Sequence, residues 1–198
     1  MPEVSIVIND DQRPPDINVW HTDLTFRESP VRACLLYCLE SPATGGDTLW
    51  SSLRAAYDHL SPGMRRYLQP LTARHRLPLQ GIDPELLARA AAQPNAATHP
   101  VICELPENGA RYLFVNPVYT ERILDVPDYE SRRILDLLFG LAQLPEHQLR
   151  FRWSAGCLAI WDNRCTQHYA AADYFPQRRV MHRITVRGEP PQRATKDF

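Results

Sequence analysis

The sequence predicts a mainly β fold, an antiparallel barrel or jelly roll carrying a helical insert. Short alternating or β-branched runs occupy both ends of the chain. Helical start signals and helical spacing fall between them. No strand–helix–strand alternation appears, which argues against a doubly wound parallel sheet. At 198 residues the chain has the length of one domain. We read 1–198 as a single domain with the helical insert at about 52–97.

The elements follow in order. Val4 to Ile8 is β-branched and closes at Asn9-Asp10-Asp11, the pattern of a strand. Arg13-Pro14-Pro15-Asp16 is loop. The run Val19 to Phe26 is aromatic and β-branched and reads as extended. Val31 to Leu39 is an apolar run of strand length, closed by Ser41-Pro42 and Gly45-Gly46. Ser52 caps a short helix through His59. Ser61-Pro62, an N-cap followed by proline at the first helical position, opens a helix towards Leu71. Asp83-Pro84-Glu85 repeats that signal ahead of Leu86 to Ala90. Between Asp128 and Leu144, Ile134, Leu135, Leu138, Leu141 and Ala142 keep helical spacing. Leu149, Phe151 and Trp153 alternate with Arg150, Arg152 and Ser154, predicting a strand with one buried face. Ala155-Gly156 turns the chain into a short apolar strand, Cys157 to Trp161, and Asp162-Asn163 turns it again. On the final strand Val180, His182, Ile184 and Val186 alternate with Arg179, Met181, Arg183 and Thr185.

Composition excludes several classes. With 22 Lys plus Arg against 23 Asp plus Glu, a net charge of -1 argues against nucleic acid as an obligatory partner. No stretch approaches the ~18 consecutive apolar residues of a membrane-spanning helix, so no membrane partner is expected. The Met1 end lacks a basic segment followed by an apolar run, so a cytoplasmic location is expected. The 5 cysteines (Cys34, Cys38, Cys103, Cys157 and Cys165) form no CxxC pair and read as free thiols.

Chemistry concentrates at two places. His21 and Asp23 stand two residues apart, and on an extended segment such residues project to one face. An imidazole and a carboxylate then point at a common spot, as a metal needs, although so short a motif is weak by itself. A second histidine would complete the set. His59, His75 and His147 lie on or beside predicted helices among charged neighbours and read as solvated. His99 precedes Pro100 in a loop, and His182 falls on the apolar phase of the last strand as a core histidine. His168 follows a buried strand and a turn, at a barrel rim. Arg179 and Arg183 share a face of the final strand, about 13 Å apart at ~3.4 Å per residue. Two inward guanidiniums are costly unless anions pair with them. The alternative has both facing solvent, with the core on the Val180/Ile184 face.

Four stretches, taken jointly, resemble the taurine/2-oxoglutarate dioxygenase (TauD/TfdA) family. They are Trp20 to Phe26, Gly45-Gly46-Asp47-Thr48-Leu49-Trp50, Leu113-Phe114-Val115-Asn116, and Trp161 to Ala170 running on to Gln177 through Arg183. The resemblance implies a double-stranded β-helix, a cupin-like jelly roll. It implies that His21, Asp23 and His168 ligate Fe(II), leaving adjacent positions open for a 2-oxo acid and dioxygen. By the same resemblance Arg179 and Thr48 bind 2-oxoglutarate, while Arg183 and the backbone N–H of Leu24 meet a small anionic substrate. The implied reaction hydroxylates taurine or another alkyl sulfonate while 2-oxoglutarate is decarboxylated to succinate. Two departures are expected. Met1 aligns inside the family pattern, so the opening portion of a usual member, with part of its substrate pocket, is missing. Ile17 stands where taurine-specific members place an amine-holding Asn. A non-catalytic remnant that binds metal or anion without turnover is the competing expectation, and a homo-oligomer is compatible with the family.

Overall fold

A computed structural model describes residues 4–15, 18–78 and 94–195. The elements are β1 (Ser5–Asn9), β2 (Ala33–Glu40), β3 (Thr48–Ser52), α1 (Leu53–Asp58), α2 (Pro62–Leu68), β4 (Thr72–Arg76), β5 (Ala96–Pro100), β6 (Ile102–Glu104), β7 (Arg111–Leu113), β8 (Thr120–Ile123), α3 (Asp128–Ala142), β9 (Gln148–Phe151), β10 (Leu158–Asp162), β11 (Thr166–Ala170), β12 (Arg179–Val186) and β13 (Gln192–Arg193). A single 3-10 turn, Pro145–His147, leads into β9.

The strands form a four-stranded sheet in the order β1-β12-β2-β10 and three-stranded sheets β11-β3-β9, β13-β6-β7 and β5-β4-β8. All paired strands are antiparallel. The first two sheets share one core of Cys38, Trp50, Trp153 and Met181, flanked by Val7, Leu36, Phe151 and Trp161. Two antiparallel sheets closed over one apolar layer make the expected jelly roll. A second core joins the helices to the smaller sheets through Leu53, Leu68, Ile102, Leu113, Leu135 and Leu138.

Local chemistry accounts for the helices. Ser52 and Ser61 each cap a helix, accepting from the N–H of Ala55 and Met64. Helix α2 stops at Leu68, short of Leu71, because Pro70 follows. Helix α3 buries Ser131, Leu135, Leu138 and Ala142, one stripe at helical spacing. Among the described residues no helix is long and apolar enough to cross a membrane.

Several expectations fail. The run Val19 to Phe26 is extended only at His21; residues 23–26 form a turn, and Leu24 adopts a left-handed φ of 56°. The segment 52–97 contains β4 as well as α1 and α2. His75 and His99, expected to be solvated or in a loop, lie on β4 and β5 at 0% and 3% exposure. Leu149 is exposed because β9 is an edge strand. On β12, Arg179 and Met181 point inward with Arg183, whereas Val186 is exposed, so His182 is no core histidine. The helix at Asp83 to Ala90, and Ile17, lie outside the described residues.

Candidate metal and anion site

Backbone pairing brings the two histidines together. The His21 N–H donates to the His168 carbonyl at 2.9 Å and the His168 N–H returns the bond at 2.8 Å. This isolated bridge ties the His21 segment to β11, and the imidazole centroids lie 4.1 Å apart. The turn after His21, rather than strand alternation, then carries Asp23 round to them. Asn163 fixes that turn. Its Oδ1 accepts from the Asp23 N–H at 3.0 Å, and its Nδ2 donates to the carbonyls of Asp23 (3.1 Å) and Val31 (3.0 Å).

One ligand atom from each of His21, Asp23 and His168 lies within 4.8 Å of the others, and all three residues are buried. Among the described residues no other His, Cys, Asp or Glu cluster has this geometry. Asp23 Oδ1 is 3.6 Å from His21 Nε2, and Oδ2 is 3.9 Å from His168 Nε2. His21 Nδ1 contacts the Val19 carbonyl at 2.8 Å, which commits that nitrogen as a donor and turns Nε2 towards the cluster. The donor states suit a cation. Burial opposes ionisation of Asp23, but His168, Arg183 and His21 outweigh it and hold the carboxyl well below its usual range. Burial, then His21 and Arg183, push His168 down to about 3 against the pull of Asp23. Two imidazoles and one carboxylate on a common point are the donor set of a facial 2-His-1-carboxylate centre. The residues therefore fit such an ion.

A cavity of about 130 Å³ opens beside this cluster, lined by His21, Leu36, Thr48, Trp161, Arg179 and Arg183 among others. It has room for more than a single water. Arg179 reaches it from the first residue of β12 at 5% exposure. Its guanidinium stacks near the rings of Trp153 and Tyr174, and its Nε has no hydrogen-bond partner. Burial lowers its pKa, but a guanidinium keeps its proton in proteins, so this is a buried cation with no carboxylate beside it among the described residues. Thr48 faces the same space. Its Oγ1 accepts from Trp153 Nε1 at 2.9 Å, which leaves the hydroxyl proton to be donated elsewhere. The Gly45-Gly46 turn shapes this end. Both glycines have positive φ, and a Cβ on Gly46 would lie 3.2 Å from Tyr174 Cδ1 and 3.3 Å from Arg179 Cδ.

Arg183 lies at the metal end. Its Nη2 donates to Asp23 Oδ2 at 2.7 Å. The structure thus gathers His21, His168, Thr48, Arg179 and Arg183 around one cavity, with Asp23 behind the two histidines and bonded to Arg183. Leu24 is different: its side chain packs against Phe26, Leu77 and Tyr119, away from the cavity lining. Asn163, Trp153, Tyr174 and Cys34 are the site residues that sequence reasoning missed. Asn163 was visible only as a turn residue, and the others act through contacts that only the fold makes.

The pattern described as "Taurine catabolism dioxygenase TauD, TfdA family" matches residues 2–185. A protein named alkylsulfatase from Acinetobacter baylyi is 34% identical over 190 residues, spanning 91% of this chain and 60% of that protein. An alpha-ketoglutarate-dependent sulfate ester dioxygenase from Pseudomonas putida is 37% identical over 184 residues, spanning 88% and 61%. The crystal structure of a taurine dioxygenase from Burkholderia xenovorans superposes with a TM-score of 0.82 at 34% identity, covering 96% of this chain and 65% of that one. The chain therefore spans about 60% of the length of these curated relatives. With the same jelly roll, the same pattern over residues 2–185 and a His-Asp-His cluster on its inner wall, the chain belongs to the TauD/TfdA family.

Proposed function

We propose that this chain is the core of an Fe(II)- and 2-oxoglutarate-dependent dioxygenase that hydroxylates a small organic anion. The observation that carries this reading is a three-donor cluster opening on the same cavity as a buried guanidinium that lacks a carboxylate. Metal and diacid would each satisfy one of these groups.

His21, Asp23 and His168 would hold Fe(II) through Nε2, a carboxylate oxygen and Nε2. Bound there, Fe(II) would supply the oxidising chemistry that couples decarboxylation of 2-oxoglutarate to hydroxylation of a C–H bond. Arg179 would fork onto the distal carboxylate of the co-substrate, with the Thr48 hydroxyl donating a second bond. Trp153 orients that hydroxyl, and Gly46 leaves the space for Arg179. Arg183, beside Asp23, would meet the anionic group of the primary substrate together with the Leu24 N–H. Leu36 and Trp161 would exclude water from the reacting carbon.

The relatives named for sulfate esters and taurine favour a sulfonate or sulfate ester as substrate. Aerobic incubation with Fe(II), 2-oxoglutarate and a panel of taurine, alkyl sulfonates and alkyl sulfates tests the reading. Succinate released in proportion to one substrate, and lost in Asp23→Ala, is the expected result. Iron binding without succinate from any of them would favour the non-catalytic remnant.

A further inference from the structure

The metal-binding carboxylate has a neighbour that the site so far leaves without a task. Cys34 Sγ lies 3.2 Å from Asp23 Oδ2 and donates to it. The thiol is at 0% exposure. Its backbone lies in the middle of a sheet, opposite Trp161 of β10 and Thr185 of β12, so the sulfur is held on both sides. It is also not a ligand candidate, because the cluster of converging donors contains only His21, Asp23 and His168.

Oδ2 therefore receives two donors, Cys34 Sγ at 3.2 Å and Arg183 Nη2 at 2.7 Å, and lies 3.9 Å from His168 Nε2, whereas Oδ1 receives neither donor and lies nearer an imidazole, 3.6 Å from His21 Nε2. The two donors differ in permanence. Arg183 lines the cavity, so an anion arriving there competes for its guanidinium. Cys34, which also touches Arg183, is sealed in the sheet at 0% exposure and does not line the cavity.

We propose that Cys34 is a positioning residue, whose thiol holds Oδ2 so that Asp23 presents Oδ1 as a single ligand atom alongside the two imidazoles. This rests on the metal-centre reading given above. Partners that orient a ligating carboxylate typically change metal affinity 10–100-fold when removed. A thiol is a weak donor, so the effect belongs at the low end of that range. A one-atom commitment also keeps coordination positions open, since a carboxylate freed to chelate through both oxygens would occupy another.

Anaerobic titration with Co(II), read by absorption and calorimetry, tests the assignment on wild type, Cys34→Ala, Cys34→Ser and Asp23→Ala, with near-UV circular dichroism to check folding. Cys34→Ala should bind Co(II) about 10-fold more weakly and shift the ligand-field bands, as a changed carboxylate mode requires. Cys34→Ser, which restores a donor, should return both affinity and bands towards wild type; a purely packing role would give no such rescue. Wild-type affinity and spectrum in Cys34→Ala, with binding lost in Asp23→Ala, would overturn the role of Cys34 and leave the metal centre standing. Unchanged binding in Asp23→Ala would overturn the metal centre itself, and the Cys34 role with it.

Discussion

Under the proposed function, Arg179 is a single residue arranged for a ligand at the expense of the fold. Its guanidinium is buried, its Nε is unpartnered, and no carboxylate lies beside it among the described residues. Arg179→Ala should weaken 2-oxoglutarate binding by at least ~30-fold, from the ~2 kcal/mol lower bound for breaking a buried charge pair, with metal affinity retained. Equilibrium titration of the metal-loaded protein checks this. Arg179→Met should stabilise the ligand-free fold by ~1 kcal/mol or more, because an apolar side chain of similar length removes an unpaired buried charge. A higher melting temperature without 2-oxoglutarate, and no further rise on adding it, is the expected pair of results. Asn163 works in the opposite sense. Asn163→Ala removes three hydrogen bonds that fix the backbone of Asp23 and Val31. It should cost ~2–4 kcal/mol, since each orphaned buried group is costly. The urea midpoint reports that loss.

Among the elements, the pair β4–β5 carries a pH dependence. Burial, aided by the nearby His99, pushes the His75 imidazole down to about 3. The unfolded chain's histidine titrates near ~6.5 and takes up a proton that the folded one refuses. Stability is then complete above about pH 6.5 and falls as the pH drops towards 3, by up to ~1.4 kcal/mol per pH unit from this one group. The urea midpoint should be lower at pH 5 than at pH 7.5, and His75→Gln should flatten that difference. The β2–β3 turn gives a second expectation. Gly46→Ala, at a φ of 72° and against Arg179 Cδ, should weaken 2-oxoglutarate binding without loss of metal. These elements were unequally legible. Helices α1, α2 and α3 could be read because caps, prolines and 3.6-residue spacing are local signals. Strand β4 could not: Thr72-Ala73-Arg74-His75-Arg76 looks solvated until it pairs between β5 and β8 and the second core, Phe114 and Thr25 cover its inward Ala73 and His75. The turn at Asp23 was hidden as well, since no glycine marks the left-handed Leu24 and the Asp23 backbone is held by Asn163 from 140 positions away.

At the scale of the whole molecule, the jelly roll was legible from strands at both ends of the chain, but the face each strand buries was not. Arg179, Met181 and Arg183 and their apolar alternates have comparable claims by pattern, and only the packing of the first two sheets decides. The outer face of the four-stranded sheet consequently shows a row of Ile6, His182, Tyr37 and Leu158, with Ile160 at 63% exposure in the next row. Exposed apolar area of this kind promotes association. Ile6→Lys with Ile160→Lys should lower concentration-dependent self-association in sedimentation, with stability kept within ~1 kcal/mol as expected for surface sites. The central claim, that His21, Asp23 and His168 hold a metal opposite an arginine that holds a diacid, is tested most directly by absorption spectroscopy. Adding 2-oxoglutarate to the anaerobic Fe(II)-loaded protein should produce a visible charge-transfer band that saturates at one equivalent, fails in His168→Ala and needs far more 2-oxoglutarate in Arg179→Ala. No band in the folded wild-type protein at saturating Fe(II) and 2-oxoglutarate would contradict the account.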